Sequence, residues 1–177
     1  MQVEIITHPD HAQLSEVRAL YEKSFPPEER RVFDMLPAML QNAPGMILAV
    51  FTADEGFVGF VVYWQFKRWA YIEHIAVNEE IRGKGYGKQM MQILQVELKG
   101  TIVLEVEKPY DDTAIRRIGF YERLGFVLAP YEYMQPPYKP TGAPIPMHLM
   151  SYPRALDEPT FLQYALHIRQ QVYEYYY

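Results

Sequence analysis

With 177 residues, 49% apolar and 22% charged, the chain is long enough for one domain with a real core and cramped for two. Its net charge of −5 argues against broad nucleic-acid binding, which needs a basic face to displace phosphate counterions. Cysteine is absent, which excludes disulfides, thiolate nucleophiles and thiolate metal ligands. The start, Met1 to Gln13, lacks a positive stretch followed by an apolar one, and the longest aliphatic run, Met46 to Phe51, is far too short to span a bilayer. The expected protein is cytoplasmic, with no membrane and no nucleic-acid partner.

In chain order, Val3 to Thr7 reads as a strand, and Asp10 offers a helix cap before Leu14, Val17, Leu20 and Tyr21, which share a helical face. Pro26 and Pro27 stop that helix. Pro27 suits the first turn of another, whose acidic start, Glu28 and Glu29, complements the dipole, and which ends or kinks at Pro37. Gly45 to Thr52 and Gly56 to Phe66, rich in β-branched and aromatic residues, form a hairpin across Ala53-Asp54-Glu55, and Tyr71 to Val77 adds a third strand. The period then changes from two to 3.6. Met90, Met91, Leu94 and Leu98 mark a helix from Gly87 to Lys99, ended by Gly100.

Thr101 to Glu107 is again strand-like, Thr113 to Leu124 a helix stopped by Gly125, and Phe126 to Met134 a strand. Pro136, Pro137, Pro140, Pro144 and Pro146 demand a stiff loop, since proline fits neither a helix interior nor a central strand. Pro146 to Tyr152 is the last strand. Asp157 caps a final helix with Phe161, Ala165, Ile168 and Val172 on one face, before the tyrosine-rich end Tyr173, Tyr175, Tyr176 and Tyr177.

The chemistry concentrates between the third strand and its following helix, in Arg82-Gly83-Lys84-Gly85-Tyr86-Gly87-Lys88. Glycines this dense are costly unless the backbone needs them. A helix N-terminus presents unpaired N–H groups and about half a positive charge, and residues without Cβ let a diphosphate approach them. Arg82, Lys84 and Lys88 add cations in an otherwise acidic chain, so an anion site is expected. A P-loop would need glycine at Arg82 and Ser or Thr at Gln89. The dinucleotide pattern would need glycine at Lys88. A tight turn with solvated cations is the structural alternative.

This segment resembles the R/Q-x-x-G-x-G/A coenzyme A signature of the GNAT (GCN5-related) N-acetyltransferase superfamily, with Arg82, Gly85 and Gly87 at the matching positions. Gly119-Phe120-Tyr121-Glu122-Arg123-Leu124-Gly125-Phe126 is similar to the family's F-Y-x-x-x-G-F segment, and Val103 to Glu107 to its L-E-V strand. The resemblance implies a GNAT-like α/β fold: a mixed, mostly antiparallel central sheet flanked by helices, with a C-terminal helix. Residues 1–177 would form a single acyltransferase domain, 153–177 being a helical extension. It further implies acetyl-CoA as co-substrate and no metal. The diphosphate would rest on the amides of Arg82 to Lys88, and the pantetheine arm would pair with the backbone of Ile75 and Val77. Ala114 stands about where many members carry an asparagine that touches that arm.

Acetyl transfer to an amine needs the neutral amine, whose lysine-like pKa is about 10.4, so a carboxylate must take its proton directly or through water. Glu73 is the first candidate base because it shares a strand face with Ile75 and Val77; Glu105 is second and His74 third. Tyr121, the tyrosine of the F-Y segment, is the candidate acid for the leaving thiolate. Backbone N–H groups near Ile75 would hold the oxyanion.

Serine hydrolysis is disfavoured because Ser15, Ser24 and Ser151 lie outside any G-x-S-x-G turn. His8 and His11 have no further ligand cluster beside them. A non-catalytic coenzyme A sensor or partner-binding protein, or an enzyme with a longer acyl donor or an aminoacylated substrate, are the competing readings. The resemblance implies a small-molecule or peptide amine as acceptor, and in such a fold Phe25 to Met35 and Tyr131 to Tyr138 would supply its aromatic lining. These aromatics and the last helix equally suit a homodimer interface.

Overall fold

Alternating apolar residues give the chain its strands. In the computed structural model, which describes residues 1–176, they belong to two compact units. Tyr177, part of the tyrosine-rich end, lies outside the described residues. One unit comprises Met1–Lys67 and Ile72–Leu98, the other Arg68–Tyr71 and the chain from Lys99 onward.

In the first unit β1 (Gln2–Ile6) pairs antiparallel with β2 (Met46–Ala53), and β2 with β3 (Gly56–Gln65), Ala53 standing opposite Gly56 where the hairpin closes. Next to β3 comes β4 (Trp69–Val77), whose first three residues belong to the second unit. Gly59 on β3 permits a close approach, because a Cβ there would lie 2.2 Å from the Ala76 carbonyl oxygen. α1 (Leu14–Ser24) buries Leu14, Val17, Leu20 and Tyr21, and α2 (Met35–Asn42) buries Leu36 and Met39. α3 (Tyr86–Glu97) buries Met90, Met91 and Leu94.

Two helix starts differ from the sequence expectation. Asp10 does not cap α1: turns returning Leu14 N–H to His11 and His11 N–H to His8 occupy residues 8–13, and Gln13 precedes the helix without a side-chain cap. Pro27 opens only a 3-10 turn, Pro27–Glu29, after which Arg30 is extended. α2 is a separate helix, with Pro37 inside its first turn, where a backbone N–H would have no partner in any case.

In the second unit β5 (Thr101–Glu107) is followed by α4 (Asp112–Glu122), β6 (Val127–Leu128), β7 (Tyr133–Gln135) and β8 (Ile145–Tyr152). β8 pairs antiparallel with β5, β6 and β7. The single strand expected over Phe126 to Met134 is thus two short ones. Ala129 N–H still reaches Leu149, but Pro130 has no N–H to continue the ladder. Asp157 caps α5 (Glu158–Ile168) by accepting from Thr160 N–H at 3.0 Å, as expected. Beyond it the helix widens into a π-helical turn, Arg169–Tyr173, which turns Val172 and Tyr173 into the core. The fold is mixed α/β, an eight-stranded sheet with helices about it and a C-terminal helix.

Candidate active site

β4 delivers the chain to the glycine-rich loop. Glu73, Ile75 and Val77 alternate along it, with His74 and Ala76 buried between them. Asn78 then closes a 3-10 turn (Glu79–Ile81), its side chain accepting from Glu80 N–H at 3.2 Å.

Gly83 and Gly85 both have positive φ, +85° and +80°, and a Cβ built on either would meet nothing within 4 Å. Left-handed backbone costs other L residues roughly 1–2 kcal/mol, so glycine is required by conformation. The empty space where side chains would be leaves the backbone approachable. Gly85 is the N-cap of α3 and offers no side chain to its first amides. The first amides of a helix have no intrahelical acceptor.

The cations around the loop are organised by acids. Arg82 pairs with Glu79 at 3.3 Å, and Glu79 also holds Lys23 at 2.7 Å. Lys84 and Tyr86 both donate to the carboxylate of Glu55, in the β2–β3 turn, so the two residues flanking Gly85 are tied to one hairpin. These two hydrogen bonds hold the Glu55 carboxyl down at about 2. Lys88 is exposed on the first turn of α3.

Glu73 is engaged on both oxygens, with its side chain fully buried. Arg31 Nε donates to Oε1 at 3.2 Å and Trp64 Nε1 to Oε2 at 2.7 Å. His74 Nε2 lies 3.1 Å from the Glu29 carbonyl oxygen, and its ring meets those of Tyr21 and Phe25 edge-on. Burial pushes the His74 imidazole down, the Glu73 charge opposing this only in part.

In the second unit Tyr121 is 8% exposed on α4, with the rings of Phe120 and Phe126 edge-on to it. Burial raises its phenol to about 12, so it carries its proton at neutral pH. Ala114 is buried one turn into the same helix, which Asp111 caps by accepting from Thr113 and Ala114 N–H at 2.8 Å. Glu105 on β5 accepts from Tyr133, from Gln135 Nε2 at 2.6 Å and from Tyr173 at 2.9 Å. Burial pushes its carboxyl up despite these bonds.

The glycine loop, Ile75, Val77 and Glu73 thus lie in one unit along a single strand-to-helix path, and Tyr121 and Glu105 lie in the other. Several partners escaped the sequence reading. Arg31, Trp64 and Glu55 contact their targets only through tertiary folding, whereas Tyr133 and Gln135 carry a usable signal, two residues apart on one strand face. Among the described residues no group of three His, Asp or Glu is arranged to hold a metal, and no helix is long and apolar enough to cross a membrane.

The acetyltransferase (GNAT) family model matches residues 13–126, which include both the glycine loop and Tyr121. The chain belongs to the GNAT acetyltransferase family. A Bacteroides thetaiotaomicron protein described as a GNAT-family acetyltransferase superposes with a TM-score of 0.91 at 36% identity, covering 98% of each chain. The fold of this GNAT member is shared more distantly by the ribosomal-protein-S18-alanine N-acetyltransferase of Escherichia coli. There the TM-score is 0.63 and the identity 18%, over 88% of this chain and 96% of that one. An aminoglycoside 6'-N-acetyltransferase complexed with coenzyme A has a TM-score of 0.61 at 17% identity, over 85% and 96%. No curated protein matches the sequence. Family membership makes the chain an acyltransferase; its acceptor is a separate question.

Proposed function

We propose that this GNAT member transfers an acetyl group from acetyl-coenzyme A to the primary amine of a small molecule or peptide. The observation that carries this reading is the open backbone at Gly83 and Gly85, ahead of an N-terminus of α3 that has no side-chain cap. The diphosphate of the donor is the complementary ligand, with Arg82, Lys84 and Lys88 around it and the backbone of Ile75 and Val77 taking the pantetheine arm. The cytoplasm, where acetyl-CoA is available, is the matching compartment.

The amine nitrogen attacks the thioester carbonyl carbon, the carbon–sulfur bond breaks, the amine proton goes to a carboxylate, and the thiolate receives the Tyr121 proton. Glu73 is the base we favour. Two directed hydrogen bonds fix its orientation, and each oxygen retains a second lone-pair site for a proton. Glu105 is the alternative base, its raised carboxyl pKa bringing it nearer to neutrality.

The test is calorimetric titration with coenzyme A, followed by thiol release from acetyl-CoA with a panel of polyamines, amino acids, peptides and aminosugars. Binding together with amine-dependent thiol release supports the reading. Binding without turnover on any amine would favour a coenzyme A sensor, and no binding would reject the loop assignment.

A further inference from the structure

We propose that Arg31 is a positioning residue for the carboxylate of Glu73, and that it ties the segment after α1 to the base. This rests on Glu73 being the base, as proposed above.

Arg31 is 1% exposed, and the side chains of both Arg31 and Glu73 are fully buried. Such a pair is a poor source of stability, because desolvating two charges offsets most of their attraction and apolar residues of equal volume do as well. It does define direction. Arg31 Nε reaches one carboxylate oxygen and Trp64 Nε1, from β3, the other, so the carboxylate plane is set from two sides. Arg31 is itself held, its backbone N–H donating to Tyr21 Oη of α1 at 2.9 Å.

The same segment is fastened a second time where the His74 ring meets the Glu29 carbonyl. Residues 29–31, within the stretch expected to line the acceptor site, are therefore attached to the base and to its neighbour on β4. Misplacing a reacting group by about 1 Å can cost on the order of 100-fold in rate. The charged and titratable groups facing Glu73 are Arg31 and, on β4, His74, whose Nδ1 is 4.0 Å from Glu73 Oε1; Tyr21 on α1 and Arg30 stand around the same cluster.

The experiment compares Arg31→Met, Arg31→Lys, Glu73→Gln and the double variant Arg31→Met/Glu73→Gln, using acetyl-CoA and the fastest amine of the panel. Arg31→Met should lower kcat by at least about tenfold and leave KM for acetyl-CoA within about twofold. Arg31→Lys should restore part of kcat, and Arg31→Met should have no further effect on kcat in the Glu73→Gln background. A folded Arg31→Met enzyme with wild-type kcat, beside an inactive Glu73→Gln, overturns the positioning role alone. Full activity in Glu73→Gln overturns the base assignment and the inference with it. Should Arg31→Met not fold, Arg31→Gln keeps a polar side chain in the buried site while removing the guanidinium; lowered kcat with unchanged KM for acetyl-CoA supports the inference, and unchanged kcat overturns it.

Discussion

Tyr121 illustrates how burial fixes a side chain's protonation state. A phenol raised to about 12 stays protonated at neutral pH, so its O–H is present to donate to a departing thiolate. Because a thiol titrates at about 8.5, complete transfer runs uphill and is completed when the phenolate regains its proton from solvent. Tyr121→Phe keeps the packing against Phe120 and Phe126 and removes only the hydroxyl. Steady-state kinetics should show kcat lowered by about 100-fold or more, while calorimetry shows coenzyme A affinity nearly intact. Wild-type turnover would remove Tyr121 from the mechanism. At this scale the sequence was informative where the signal is local: Tyr121 lies in a short motif, and Glu73 follows from the strand's period of two. Arg31 was invisible to the same logic, since its contact with Glu73 spans 42 residues and depends on how the segment after α1 folds back. Trp64, too, is an ordinary strand aromatic until the structure aims its N–H at a carboxylate.

Elements show the same division between local and distant causes. The β2–β3 hairpin, β5 and the cap of α5 were legible because alternation, turn residues and Asp157 all act within a few positions. The break between β6 and β7 was not, because an apolar run containing Pro130 reads as continuous until the ladder's need for an N–H is considered. The close approach of β3 to β4 gives a test of the architecture behind the loop. Gly59→Ala would drive a methyl into the Ala76 carbonyl, so thermal denaturation should show a loss of about 1–3 kcal/mol. An unchanged melting temperature would contradict the packing. The cap of α4 gives another: Asp111→Ala should cost about 1 kcal/mol, as it leaves the N–H groups of Thr113 and Ala114 without their acceptor. No loss of stability would place those donors elsewhere.

For the molecule as a whole, the buried acid Glu105 couples folding to pH. Its folded pKa is raised above the ordinary 4.5, so the folded state binds its proton more tightly than the unfolded chain does. That contribution is fully present below about 4.5 and is lost as pH rises through the folded value. Glu105→Gln cannot titrate. Denaturant unfolding across this range should therefore show the stability difference moving in the variant's favour as pH rises from about 4.5, whatever the variant's offset from lost hydrogen bonds; a parallel pair of curves would contradict the assignment. The network around Glu105 also explains the tyrosines that composition alone could not place. Tyr133 from β7 and Tyr173 from the π-helical turn converge on one carboxylate, and Tyr138 reaches Tyr173 at 3.4 Å. Family and fold were readable from two short motifs and the order of elements, because both depend on local pattern.

Calorimetric titration of the wild type and of Gly85→Glu with coenzyme A asks whether the backbone between Arg82 and Lys88 receives the diphosphate, as proposed above. Glutamate at a position with φ of +80° brings bulk and a negative charge to the opening of α3. With circular dichroism confirming that the variant is folded, coenzyme A should bind the wild type and not Gly85→Glu. Equal affinity in the two proteins would contradict it.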